Sequence, residues 1–227
     1  MEVFAGEGDD EMATDRVRDG STGDLRRAFL YGGAGNDKIT APVTMDLRVY
    51  GEDGDDKLIS SGGVTESLSG GDGNDIIYGG SDMTGTALNT YYGEYTDLFA
   101  PRVSNLLERG GNDKIYGGDR NAAEQWFVGG TFDDQIFTGL HNMDTILVWG
   151  DNCTSTPLVE DASGLNISDG DDIVDVGNSN LEVKVYGQGG NDKIIGGFGP
   201  SQVDRLYGGT GDDKIWLVNP DEREFDT

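Results

Sequence analysis

The sequence predicts an all-β fold, a parallel β-solenoid of about eleven coils with about 20 residues in each. Three observations predict it. A turn rich in glycine and aspartate recurs along nearly the whole chain. An apolar residue stands at a fixed distance on either side of each turn. The composition sets 38 glycines against 5 prolines, and 43 acidic residues against 16 basic ones, for a formal charge of −27.

The turns come first. Gly32-Gly33-Ala34-Gly35-Asn36-Asp37-Lys38-Ile39 returns as Gly51-Glu52-Asp53-Gly54-Asp55-Asp56-Lys57-Leu58 and again as Gly70-Gly71-Asp72-Gly73-Asn74-Asp75-Ile76-Ile77. Later copies cover 108–115, 129–136, 167–174, 187–194 and 208–215, and a weaker one covers 5–12. Two gaps are of double length, and degenerate copies near Tyr91-Tyr92-Gly93 and Val148-Trp149-Gly150 fit inside them. One such unit cannot bury an apolar face alone, whereas stacked units share a continuous core.

The strands follow from what flanks the turns. Two residues before each start stand Val3, Leu30, Val49, Leu68, Leu106, Phe127, Val148, Leu165, Val185 and Leu206. Seven residues after it stand Met12, Ile39, Leu58, Ile77, Ile115, Ile136, Val174, Ile194 and Ile215. Runs such as Leu47-Arg48-Val49-Tyr50 alternate with the period of a half-buried strand. Each unit is therefore strand, turn, strand and a connection of variable length. The longest connections are 13–28, 81–105 and 152–164, and residues 1–227 read as one domain. Stacked at about 4.8 Å, eleven coils make a rod about 50 Å long.

The charge narrows the function. Self-repulsion on this scale leaves a chain disordered or bound to cations. A 35% share of hydrophobic residues, with aromatics at regular intervals, argues against disorder. The carboxylates then call for a hard cation that prefers oxygen ligands. Such a surface repels nucleic-acid phosphates, so no nucleic-acid partner is expected. Cys153 is the single cysteine, which excludes an intrachain disulfide. No apolar run is long enough to span a membrane, and no signal peptide begins at Met1. The triplets starting at Asn152 and Asn166 are compatible with N-glycans in a secretory pathway.

The repeated turn resembles the nonapeptide G-G-x-G-x-D-x-U-x of the RTX, or hemolysin-type, calcium-binding repeats, whose fold is the parallel β-roll. The resemblance implies several calcium ions, each shared by the turn carbonyls and aspartates of neighbouring coils. Carried over residue by residue, the aspartates are Asp10, Asp37, Asp56, Asp75, Asp113, Asp134, Asp172, Asp192 and Asp213. The remaining turn positions implied are Gly32, Ala34, Gly35, Gly51, Asp53, Gly54, Gly70, Asp72 and Gly73 in the first half. In the second half they are Gly111, Gly170, Gly187, Gly189, Gly190, Gly208 and Gly211. The residue types suit the ion. Calcium takes 6 to 8 oxygens at about 2.3–2.6 Å in loose geometry, and glycine lets a turn curl until its carbonyls converge. Asn or Asp at the fifth position, as in Asn36 and Asp55, is expected to tolerate left-handed φ. Lysine at the seventh, as in Lys38 and Lys57, is expected to point outward.

The chain departs from the family pattern in one respect. Good motifs come once per coil, not twice, so one edge is expected to carry the calcium. The other edge holds partial turns at 78–82, 116–119 and 196–197. Glu108-Arg109 replaces a leading Gly-Gly, which marks a weaker site.

No catalytic apparatus is legible. His141 is the single histidine, so an H-E-x-x-H zinc helix is impossible, and no G-x-S-x-G elbow occurs. The sequence reads as a secreted calcium-binding repeat protein with a structural or adhesive role, not an enzyme. It is expected to fold on calcium and to assemble head to tail into a homopolymer through its open ends. The alternative is a detached calcium-folding module of a larger exported enzyme or toxin.

Overall fold

A computed structural model describes residues 1–13, 27–42, 44–80, 85–93, 111–118, 122–130, 132–138, 145–151, 170–176, 183–196 and 205–217. These residues form eighteen strands and no helix. Each coil contributes a longer strand before its turn and a shorter one after it. The first three coils are β1 (Glu2–Glu7) with β2 (Glu11–Ala13), β3 (Arg27–Ala34) with β4 (Lys38–Ala41), and β5 (Thr44–Asp53) with β6 (Lys57–Ser60). The middle three are β7 (Gly63–Asp72) with β8 (Ile76–Tyr78), β9 (Gly85–Tyr92) with β10 (Lys114–Tyr116), and β11 (Ala122–Gly130) with β12 (Gln135–Phe137). The last three are β13 (Thr145–Asp151) with β14 (Ile173–Asp175), β15 (Val183–Gly189) with β16 (Lys193–Gly196), and β17 (Arg205–Thr210) with β18 (Lys214–Leu217).

The odd-numbered strands build one nine-stranded parallel sheet and the even-numbered strands build a second, each in chain order. The architecture is the parallel β-solenoid that the repeat predicts. Alternation along each strand sends one set of side chains between the sheets. Leu30, Val49, Leu68, Tyr91, Phe127, Val148 and Val185 from the first sheet face Ile39, Leu58, Ile77, Ile115, Ile136, Val174 and Ile194 from the second. Every residue expected seven places after a turn falls into one column of the second sheet.

The described residues hold nine coils, not about eleven. The two degenerate copies do not form coils of their own. Gly93, just after β9, and Gly111-Asn112-Asp113, before β10, are two halves of one turn. Gly150 in β13 and Gly170-Asp171-Asp172 before β14 are likewise two halves of another. In both cases a long segment enters inside the turn and leaves the stack in register: β9 pairs with β7 and β11, and β13 with β11 and β15. Tyr91 and Val148 therefore hold the core positions expected of Leu106 and Leu165, which lie outside the described residues.

The connections also differ in extent. Residues 85–92 of the expected 81–105 connection form β9, and residues 27–28 of the expected 13–28 connection open β3. Connection 152–164, with Asn152 and Cys153, lies outside the described residues, as do Asn166 and His141. Tyr91 is fully buried and stacks on Phe127 at 5.0 Å between ring centroids.

Candidate metal centre

The turns stack along one edge of the roll, with position one taken as the leading glycine. The first consequence of stacking is an aspartate ladder at position six. The N–H of each Asp donates to Oδ1 of the equivalent Asp one coil on. Asp10 donates to Asp37 at 2.8 Å, Asp37 to Asp56 at 2.7 Å, Asp56 to Asp75 at 2.7 Å and Asp75 to Asp113 at 2.7 Å. The series continues from Asp113 to Asp134, Asp172, Asp192 and finally Asp213. All nine aspartates expected at the site thus stand in one column. Those from Asp37 to Asp192 are between 1% and 3% exposed.

The second carboxylate oxygen is the one of chemical interest. Oδ2 of Asp37, Asp56 and Asp75 is buried and accepts no hydrogen bond. Each lies against the leading glycine of its own turn, where the next coil's leading carbonyl also points. A Cβ at Gly32 would collide with Asp37 Oδ2 and the Gly51 carbonyl; at Gly51, with Asp56 Oδ2 and the Gly70 carbonyl; at Gly70, with Asp75 Oδ2 and the Gly93 carbonyl. Carboxylate and carbonyl oxygens therefore converge on a space that only glycine leaves open. Position four adds a further carbonyl column, since Gly35, Gly54 and Gly73 each sit on the carbonyl of the position-four glycine one coil before.

Burial without a cation is costly for these carboxyls. It pushes Asp37 upward, Asp56 up to about 7 and Asp75 up to about 9. The neighbouring charges of Asp37 and Asp113 add to the rise at Asp56 and Asp75, and the backbone hydrogen bond to each opposes it. Among the described residues no three His, Cys, Asp or Glu side chains gather round one point. The donor set is instead one carboxylate oxygen with backbone carbonyls. An all-oxygen set of low side-chain content, repeated along an edge and short of positive charge, fits calcium. Bound there, calcium would supply the positive charge that the buried aspartates lack.

Sequence reasoning missed four residues of this edge, among them the leading Gly129 beside Asp134, and misread one further feature. Gly93 and Gly150 occupy leading positions, beside Asp113 and Asp172. The signal for them was the apolar strand ending that marks each degenerate copy. The Glu108-Arg109 pair lies outside the described residues. Phe132 fills position four of its turn, at φ 75°, and its carbonyl lies under Gly170. The fifth position is not left-handed. The positive φ values of the turns fall on positions two and four, including the non-glycines Glu52 at 82° and Gln188 at 82°. Asn and Asp at position five form a second, exposed ladder: Asp55 N–H donates to Asn36 Oδ1 at 2.9 Å and Asn74 N–H to Asp55 Oδ1 at 2.8 Å. A short side chain ending in an acceptor is what that ladder selects.

The opposite edge is built differently. Glu66, in β7, is fully buried there. It accepts hydrogen bonds from Ser60 Oγ at 2.7 Å, Tyr91 Oη at 3.2 Å and Gly80 N–H at 3.4 Å. The partial turn at Gly79-Gly80 is thus tied to a side chain.

Two stacked parallel sheets joined by aspartate-lined turns define a calcium-binding β-roll. The family description "RTX calcium-binding nonapeptide repeat (4 copies)" matches residues 22–41, 62–82, 109–121, 184–203 and 201–217. The chain carries RTX calcium-binding repeats. Comparison with curated proteins and with solved structures finds no match.

Proposed function

We propose that this chain is an extracellular calcium-folded scaffold, in which calcium along the aspartate edge converts an expanded chain into the roll. The observation that supports this is the orphaned Oδ2 of Asp37, Asp56 and Asp75, buried in a continuous column of like charges. Without a cation that column opposes folding, so ion-binding free energy becomes folding free energy. The ligand set comprises the position-six aspartates, the leading glycine carbonyls of the next coil and the position-four carbonyls. The structural or adhesive role and secretion rest on the repeat resemblance. The test is far-UV circular dichroism of the whole chain. Excess chelator should give a largely unordered spectrum, and calcium in the millimolar range, typical of extracellular modules, should give a β spectrum. A β spectrum that persists unchanged in chelator would sink the proposal.

A second reading, head-to-tail polymerisation, draws on the outer face of the first sheet. Phe4, Tyr31 and Tyr50 stack there at 4.5 and 5.1 Å, and Tyr186 stacks on Tyr207 at 5.1 Å in the same column. Phe4 and Tyr207 are 66% and 41% exposed at the two extremes of that column, so one could continue the stack on the other. Filaments seen by negative stain in calcium and lost in chelator would support it; single short rods would refute it.

A further inference from the structure

Five of the six lysines of this acidic chain stand in one column on the outer face of the second sheet. Lys38 and Lys57 are neighbours there, as are Lys193 and Lys214, with Lys114 between the two pairs. All five are exposed. Folding creates this strip. In the sequence each of the five directly follows an aspartate, as in Asp37-Lys38 and Asp192-Lys193. In the roll the aspartate turns into the buried ladder and the lysine turns out onto the sheet. Charges that cancel locally in the unfolded chain are sorted onto separate surfaces.

The column is unfavourable in isolation, because like charges on adjacent strands repel. Several contacts offset that cost. Lys38 pairs with Glu11, and the ammonium groups of Lys57 and Lys193 lie over Tyr78 and Trp216, each 5.4 Å from the ring centroid. Beside the lysines runs an aromatic column, with Tyr78, Tyr116 and Phe137 stacked at 5.0 and 5.1 Å. Acids on the two columns are limited to Glu11 and Asp175 among the described residues.

We propose that this face is a docking strip for a linear acidic polysaccharide lying along the roll axis. Three features select that occupant. The strip is long and narrow, and its cations recur at multiples of the strand spacing, about 4.8 Å, comparable with the repeat of a pyranose chain. The column is interrupted by Ile76, Gln135 and Ile173. A polymer charged on only some of its residues suits those gaps, whereas the dense charge of a nucleic acid would leave phosphates unpaired over them. The half-buried rings and tyrosines offer apolar and hydroxyl surface to sugar rings. Docking rests on the calcium-folding reading only for its gate: calcium assembles the strip and neutralises the acidic edge beside it.

The experiment measures binding of hyaluronan oligosaccharides, in which only the uronate residues are charged, to the calcium-loaded chain at low and high salt. The expected result is salt-sensitive binding. The variant Lys38→Glu/Lys57→Glu/Lys193→Glu/Lys214→Glu should weaken it at least tenfold, with the calcium-induced dichroism unchanged. Should that variant not fold, the four Lys→Gln changes serve in its place. Absence of binding by the unaltered chain at low salt overturns the proposal, as does a folded variant that binds within twofold. Equal or tighter binding of a single-stranded oligonucleotide overturns the choice of polysaccharide. A chain already folded in chelator refutes the calcium gate, and the strip is then tested in chelator by the same variants.

Discussion

The main-chain N–H of Asp56 donates to Oδ1 of Asp75 at 2.7 Å, across 19 residues of sequence and one coil of structure. One carboxylate oxygen thus joins two coils, while the other, buried and without a donor, faces the next coil's leading carbonyl. The two oxygens of Asp75 have separable tasks, and substitution can separate them.

Asp75→Asn keeps an acceptor for the Asp56 N–H and removes the charge, so it should raise the calcium midpoint severalfold. Asp75→Ala removes both, leaving a buried N–H without a partner. It should cost about 1–3 kcal/mol more than the Asn change, read as the difference in urea midpoints in saturating calcium. Equal stability of the two variants would mean that the ladder bond contributes nothing.

The metal-free chain should respond to pH in the direction the buried carboxyls dictate. Folding raises Asp56 to about 7 and Asp75 to about 9 from an ordinary value of 3.8. Between those limits the folded state binds more protons than the unfolded one, so stability falls as pH rises. The contribution is complete below the ordinary value and is lost as pH rises through about 7 and about 9. In calcium-stripped solution the β signal should therefore grow as pH is lowered from 9 to 5. Because protons and calcium compete for the same oxygens, the calcium midpoint should rise on acidification. A dichroism titration at fixed pH values checks both slopes.

Two glycines with similar φ should differ in cost when replaced. Gly54 has φ +130° and its Cβ would collide with the Gly35 carbonyl; Gly8 has φ +108° with nothing within 4 Å. Gly8→Ala meets only the left-handed penalty, about 1–2 kcal/mol. Gly54→Ala adds a clash with backbone of the coil before, and should lower stability well beyond that. Thermal unfolding in saturating calcium ranks the two.

The period and the apolar flanks made the sheets, the two core rows and the aspartate column legible in advance, because stacking turns a sequence interval into a fixed site. Coil number was not legible in the same way. A motif search joins residues that are close along the chain, and nothing local ties Gly93 to Gly111 or Gly150 to Gly170. The role of Asn36 and Asp55 was misread for a related reason. A single turn gives them a φ preference to satisfy, whereas only two stacked turns give them each other's N–H. Glu66 was hidden by its setting, since an acid in a strand looks solvated until Ser60 and Tyr91 are brought around it.

The turn that opens between Gly93 and Gly111, and again between Gly150 and Gly170, behaves as a splice port. Length added between positions one and four leaves every strand above and below paired as before, whereas a single residue added within β7 or β15 would turn core side chains to solvent. The roll can therefore acquire or exchange surface segments coil by coil without rewriting its interior. A foreign peptide grafted at Glu52-Asp53 would enter at the same port.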